Sequence, residues 1–305
     1  MSRNFTRQVL KGDARALASI MTLIDDGDPR AKAVLKAVYR KTGRAHVIGI
    51  TGAAGTGKSS LIDCMTAEYR RRQKTVGILA VDPSSAFSNG ALLGDRIRMR
   101  THFADAGVFI RSFATRGAKG GVSASIRDAI HVLDGAGRDV IFVETIGVGQ
   151  DELEIARLAY LVVVVLIPEM GDEVQAMKAG LAEIADILVM NKADLPGADV
   201  TVQQLKAIFS DLDILLTSAI NNDGAQRVVD EIEKHRLKSL RNGQHQSKRL
   251  SLCREELLSL LRQRLVTQLT QRIDDRLLDE GVKRIAERRV DPYSEVEQMA
   301  KKLGF

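Results

Sequence analysis

His46-Val-Ile-Gly-Ile-Thr51 followed by Gly52-Ala-Ala-Gly55-Thr-Gly57-Lys58-Ser59 decides how this chain of 305 residues folds. The last eight residues fit G-x-x-x-x-G-K-[ST], and each part has a physical task. Glycines let backbone N–H groups curl around a phosphate with no Cβ in the way. The helix expected from Lys58 onward points its positive end at the anion. In this reading Gly52, Ala53, Ala54, Gly55, Thr56, Gly57, Lys58, Ser59 and Ser60 hold a nucleotide's phosphates. Lys58 reaches the β- and γ-phosphates, and the Ser59 hydroxyl ligates Mg²⁺. The setting agrees: an apolar strand leads in, and Leu61, Ile62, Met65 and Tyr69 line one side of the helix that follows.

Working outward, apolar β-branched runs recur at 75–82, 108–113, 139–145, 160–167, 187–191 and 213–218. Most are separated by segments long enough for a helix. Short apolar strands alternating with helices predict an α/β fold, a P-loop NTPase with a mostly parallel sheet of about seven strands flanked by helices. Residues 5–40 carry a helical pattern through Val9, Leu10, Leu17, Ile20, Leu23 and Ile24, broken at Asp28-Pro29. After residue 225 the strands stop. Leu257, Leu261, Leu265, Leu269, Ile273 and Leu277 recur every four residues and predict one long amphipathic helix, entered through a polar hinge at 242–248. The expected organisation is an N-terminal helical segment (1–42), a nucleotide-binding domain (43–240) and a C-terminal helical arm (241–305).

Composition narrows the class. Apolar residues make up 45% of the chain and charged residues 28%, an ordinary globular balance. Cys64 and Cys253 form no CxxC and no Cys/His cluster, which excludes a disulfide scaffold and a zinc finger and suits a reducing compartment. No apolar run approaches the ~20 residues of a membrane span. The start, MSRNFTRQVL, lacks an apolar leader core, so a cytoplasmic location is expected. The net charge of +6 is concentrated: residues 234–290 hold 15 basic and 7 acidic side chains. Such a segment either meets an acidic partner or is a solvated helical face. Regular leucines and the lack of aromatic residues favour the face, so neither nucleic acid nor membrane is expected as a partner.

Two further strand ends carry chemistry. Asn191-Lys192-Ala193-Asp194 closes an apolar run and fits the guanine-reading N-K-x-D pattern. A carboxylate at Asp194 accepts two hydrogen bonds from guanine N1–H and the 2-amino group, and adenine offers no such donor pair. Thr217-Ser218-Ala219 follows the next strand, with the Ser218 and Ala219 N–H groups expected near the base oxygen. The run from Asp139 ends in Glu144, a carboxylate placed to hold Mg²⁺ and to serve hydrolysis, with Gly147 next to donate its N–H to a γ-phosphate. Asp82 and Asp95 are further candidate metal ligands. Gln150 is as readily the polar start of a helix as a water-orienting residue.

These motifs in this order resemble the MeaB/ArgK family of P-loop GTPases. The likeness also covers Thr42–Gly52, Ala80–Ser85, Leu93–Met99, Arg111–Gly117, Glu144–Gln150, Gly171–Gln175 and Asp291–Ser294. The resemblance implies a homodimeric GTPase that chaperones an adenosylcobalamin-dependent acyl-CoA mutase, gating cofactor loading and protecting or reactivating the enzyme. It implies that adenosylcobalamin belongs to the partner mutase, and this chain lacks the Asp-x-His-x-x-Gly signature of base-off cobalamin domains. It also implies that the C-terminal arm supplies the dimer contact, that loops at 82–100, 144–152 and 168–178 act as switches, and that Lys178 couples partner binding to hydrolysis. The chain departs from the family pattern at Ala54-Gly55, at Arg116–Val122 and at Pro168-Glu169. The last change leaves open which mutase is served. Two alternatives compete with this reading: a nickel-type GTPase metallochaperone and a transport-linked protein kinase. Scattered histidines and cysteines argue against the first. Asn191–Asp194 argues against the ATP preference of the second.

Overall fold

The computed structural model describes residues 3–82, 100–102, 104–114, 122–145, 151–168, 183–209, 212–302 and 304. These divide into two compact units, Met1–Leu252 and Cys253–Phe305.

The first unit is built on seven parallel strands: β1 (His46–Thr51), β2 (Val76–Asp82), β3 (Val108–Ala114), β4 (Val140–Glu144), β5 (Leu161–Leu166), β6 (Ile187–Met190) and β7 (Asp213–Leu216). Their order across the sheet is β3-β2-β4-β1-β5-β6-β7. The expected sheet is therefore present, with strand ends within two residues of the apolar runs. β1, β4, β5 and β6 are buried along their whole length, which is why they read as unbroken apolar runs. Alternate side chains feed two cores. Ile48, Ile50, Val163 and Val165 face one side, against Leu61, Ile62, Met65 and Tyr69 of α4 (Lys58–Arg71). Val162, Val164 and Leu166 face the other. Each large side chain so buried contributes about 1.5–3 kcal/mol.

Three helices precede the sheet: α1 (Arg3–Leu10), α2 (Ala14–Asp25) and α3 (Arg30–Tyr39). The sequence pattern predicted the break at Asp28-Pro29 but not the one near Gly12. There Gly12 takes φ 74°, and the Asp13 carboxylate accepts from Ala16 N–H at 2.8 Å and opens α2. Leu17, Ile20, Met21, Val34 and Val38 pack into the same core as Ile126, Val132 and Leu133 of α5 (Val122–Gly135). Asp134 of α5 accepts from the N–H groups of Gly43, Arg44 and Ala45, at 3.1 Å and 3.0 Å for the last two. That clamp fixes the chain as it runs into β1. Among the described residues the remaining helices of this unit are α6 (Asp151–Ala156), α7 (Ala198–Ile208) and α8 (Ala225–Arg241).

The C-terminal pattern is broken into three helices: α9 (Gln244–Arg272), α10 (Asp275–Ala286) and α11 (Pro292–Lys302). The hinge is Asn242-Gly243 alone, because Asn242 Oδ1 accepts from Gln244 N–H at 3.0 Å and starts the helix there. Asp274 interrupts the leucine series by capping α10 through Arg276 N–H at 3.2 Å. A spacing of four also drifts by about 40° per step around a helix of 3.6 residues per turn. The leucines of α9 therefore wind around it instead of forming one stripe, and none of its residues is buried. In the second unit Arg284 of α10 pairs with buried Glu295 of α11, holding that carboxyl below its ordinary range. Among the described residues no helix is long and apolar enough to cross a membrane.

Candidate nucleotide site

Parallel α/β sheets present their ligand sites at the carboxyl ends of the strands. Here the ends of β1, β4, β6 and β7 bring together the loop 52–59, Glu144, Asn191–Asp194 and Thr217–Ala219.

The loop leaves β1 at Gly52 and enters α4 through Gly57. Both glycines are required. Gly52 takes φ 139°, and a Cβ there would lie 2.2 Å from the Val165 carbonyl oxygen. Gly57 takes φ 86°, and its Cβ would lie 2.4 Å from Asn191 Nδ2. Lys58 is the first residue of α4 and is buried. Its Nζ donates to the carbonyls of Gly52 and Ala53, both at 2.8 Å, which holds the ammonium inside the ring of the loop. Thr56 is buried, and its hydroxyl donates to Ala53 O at 3.0 Å. Ser59, in the first turn of α4 at its positive end, donates its hydroxyl to Glu144 Oε1 at 2.7 Å. The residues singled out for metal ligation from 85 positions apart thus meet. Beside them, the hydroxyls of Thr145 and Thr51 bond at 3.0 Å inside the core.

Asn191 joins three segments. Its Nδ2 donates to Thr56 O at 2.8 Å. Its Oδ1 accepts from Thr217 Oγ1 and from Ala219 N–H, both at 3.1 Å. Lys192 takes φ 55°, a left-handed backbone that costs a non-glycine residue about 1 kcal/mol or more. That turn sends Asp194 to the exposed rim. The Ser218 hydroxyl donates to Asp194 Oδ1, and Asn221 Nδ2 donates to Ser218 Oγ at 2.9 Å. Ser218 N–H donates to Asp223 O at 3.0 Å. The two amides singled out from the sequence therefore already have partners, Asp223 for Ser218 and Asn191 for Ala219. Cys64 of α4 donates to Ala219 O at 3.4 Å, and burial pushes its thiol above the ordinary range.

Sequence reading missed Thr217 and Asn221 as supports of Asn191 and Asp194. Thr217 stands within the triplet 217–219, but its bond to Asn191 spans 26 positions and is set by the fold; Asn221 acts three residues from Ser218, outside that motif. The Asp82 side chain and all of Asp95, Gly147, Gln150 and Lys178 lie outside the described residues, as do most of the loops at 82–100, 144–152 and 168–178.

Comparison with known proteins places this geometry. The chain is 42% identical to a protein of Pyrococcus abyssi named as a GTPase, over 96% of this chain and 94% of that one. It is 37% identical to a mitochondrial methylmalonic aciduria type A homolog of Caenorhabditis elegans, over 62% of this chain and 51% of that one. A solved structure described as a LAO/AO transport system kinase superposes with a TM-score of 0.74 at 26% identity, over 99% of this chain and 97% of that one. HypB of Helicobacter pylori in complex with nickel shares the fold alone, at 18% identity and a TM-score of 0.50, over 72% of this chain and 96% of that one. The profile of the methylmalonyl-CoA mutase-associated GTPase MeaB matches residues 17–274. Strand order, loop and profile agree: the chain belongs to the MeaB family and is a P-loop GTPase, a hydrolase.

Proposed function

We propose that this chain is a GTP-hydrolysing chaperone of an adenosylcobalamin-dependent acyl-CoA mutase, methylmalonyl-CoA mutase or a relative, acting as a cytoplasmic homodimer. The observation that carries the nucleotide half is Asn191, which ties the loop 52–59 to the segment 217–219 beside Asp194. The family match and the methylmalonic aciduria type A relatives support the mutase half.

In this reading Asp194 accepts from guanine N1–H and the 2-amino group. The Ser218 hydroxyl orients its carboxylate. Asn191 holds the loop and the base-side segment in register, so base recognition and phosphate binding form one rigid unit. Lys58 exchanges its carbonyl partners for the β- and γ-phosphates. Loop amides from Gly52 to Ser60 complete the phosphate cradle. Water attacks the γ-phosphorus, the bond to the β–γ bridging oxygen breaks, and GDP and phosphate leave.

The donor set beside the loop fits Mg²⁺. Ser59 Oγ and Glu144 Oε1 are hard oxygens within 2.7 Å of each other, the chemistry a small hard cation selects. Ser59 and Glu144 would hold it, with Asp82 and Asp95 as further candidates. Bound there, it would offset charge on the phosphate oxygens. Gly147 would report the γ-phosphate through its switch loop, and Lys178 would link mutase contact to turnover.

The test is GTP turnover by the purified protein, alone and with candidate mutases added singly. Stimulation by one mutase, lost in Lys58→Ala, is the expected result. Hydrolysis that no mutase stimulates would refute the chaperone role and leave the GTPase. Competition between GTP and ATP separates this reading from the kinase description of the structural relative.

A further inference from the structure

The opposite end of the sheet holds a second concave site. A cavity of about 510 Å³ opens beneath the amino ends of β1 and β5, between the end of α8 and the start of α9. β1 spans six residues, so the cavity and the loop 52–59 lie roughly 20 Å apart. Its size is that of a small-molecule pocket.

The lining is cationic. Arg236 and Lys238 come from α8 and Lys248 from α9, against a single carboxylate, Asp186. Asp186 is already engaged: its Oδ2 accepts from Val162 N–H at 2.7 Å. The cations keep donors to give. Lys248 Nζ spends one bond on Ala156 O at 3.2 Å, and Arg236 sits 3.8 Å from Glu233, a carboxylate outside the lining. Guanidinium and ammonium groups carry five and three N–H donors. The first turn of α9 adds the positive end of a 29-residue helix. His245 stacks on Tyr160 at 4.6 Å within that turn.

An independent feature points the same way. His46 lines the cavity and is only 3% exposed, and its Nδ1 has no hydrogen-bond partner. A buried imidazole nitrogen without a partner forfeits a hydrogen bond that a ligand can restore. Burial holds this ring neutral, so it contributes a hydrogen bond and no charge. With neutral histidines the lining carries a net charge near +2, which matches a phosphate monoester of roughly −2 and leaves a monocarboxylate short.

We infer that this cavity is a second binding site, for a small phosphate-bearing anion held by Arg236, Lys238 and Lys248 and by a hydrogen bond from His46. Such a site, built of the cationic lining and the unpartnered His46 nitrogen, does not require the mutase reading.

The experiment uses full-length protein loaded with a non-hydrolysable GTP analogue, so that the loop 52–59 is filled. Inorganic phosphate, glycerol phosphate and succinate are titrated by calorimetry, with the histidine ring nitrogens followed by NMR. One-site saturation by both phosphate probes is expected, with a shift of the His46 ring resonances. Arg236→Gln and Lys248→Gln should each weaken that binding about tenfold, or ~1.4 kcal/mol, while analogue affinity stays unchanged and reports a folded protein. Phosphate probes that never saturate would overturn the proposal. So would binding that both substitutions leave intact, which would place the probe on the general basic surface. Succinate binding as tightly as phosphate would overturn the phosphate assignment.

Discussion

Asp194 is exposed, yet its carboxylate is pinned by the Ser218 hydroxyl, and that combination suits a group that reads a ligand. Asp194→Asn replaces an acceptor-only group with one that also donates. GTP affinity should fall by about 1.5–3 kcal/mol, and xanthine nucleotides should gain because their 2-oxo group accepts the new donor. Fluorescent-nucleotide competition checks both directions, and equal loss of all bases would refute the assignment. Gly57→Ala tests the loop itself. Its Cβ would collide with Asn191 Nδ2, and φ 86° is unfavourable for alanine. The strain of about 1–3 kcal/mol should appear as lost nucleotide affinity before it appears as lost fold, because the collision lies in the loop and not in the sheet. Equilibrium binding beside a denaturation curve separates the two. Individual residues were legible in the sequence where a motif fixes several at once, as at Gly52–Ser59 and Asn191–Asp194. Asn221 was not, and Thr217 was legible without its role, since a hydroxyl or amide that supports another side chain has no motif of its own.

At the scale of elements, β1, β4, β5 and β6 were legible because each is buried along its whole length and reads as an apolar run, and the partly exposed β7 was legible from its apolar residues Ile214–Leu216. The helices of the C-terminal arm were less so: the cap at Asp274 overrides a leucine period that continues straight through the break to Leu277. β1 carries two predictions of its own. Asp134 secures its approach by accepting three backbone N–H groups. Asp134→Ala would leave the buried Ala45 N–H and two part-buried N–H groups unpaired and should cost about 3 kcal/mol, with Asp134→Asn losing less because one acceptor remains. Urea midpoints of the two variants would decide, and equal losses would contradict the clamp. His46 at the start of the strand sets a pH dependence. Its ring ordinarily titrates at 6.5; burial, with Arg236 of α8 and His245 of α9 nearby, lowers it to about 3. Between those values the unfolded chain binds a proton that the folded chain does not. Stability therefore falls as pH drops through that window, by about 2 kcal/mol between roughly pH 7 and pH 5. His46→Leu should flatten that part of the profile, and a slope equal to the wild type would show that other groups carry it.

For the whole molecule, the first unit has a full double-sided core, whereas α9, most of which lies beyond the division at Leu252–Cys253, buries none of its residues. A helix of 29 residues with Leu257 at 68%, Leu260 at 52%, Leu261 at 50% and Val266 at 62% exposure leaves apolar area in water that an isolated chain gains nothing by displaying. A second copy of the chain is the occupant we propose. A two-fold axis would meet each patch with itself, which is how homodimer interfaces are built. The basic excess of residues 234–290 would then be carried on the flanks of such a contact, because charged groups are depleted at interface cores and tolerated at the rim. Two consequences separate this from a solvated arm. Leu257→Glu with Leu261→Glu should turn a dimer into a monomer in sedimentation equilibrium, at unchanged GTP affinity, because the loop 52–59 and Asn191 lie in the other unit. The dimer should also persist in high salt, since apolar burial is not screened, whereas an arm held by its charges would dissociate. A wild-type chain that sediments as a monomer at micromolar concentration would remove the dimer from the proposed function while leaving the nucleotide chemistry of the first unit untouched.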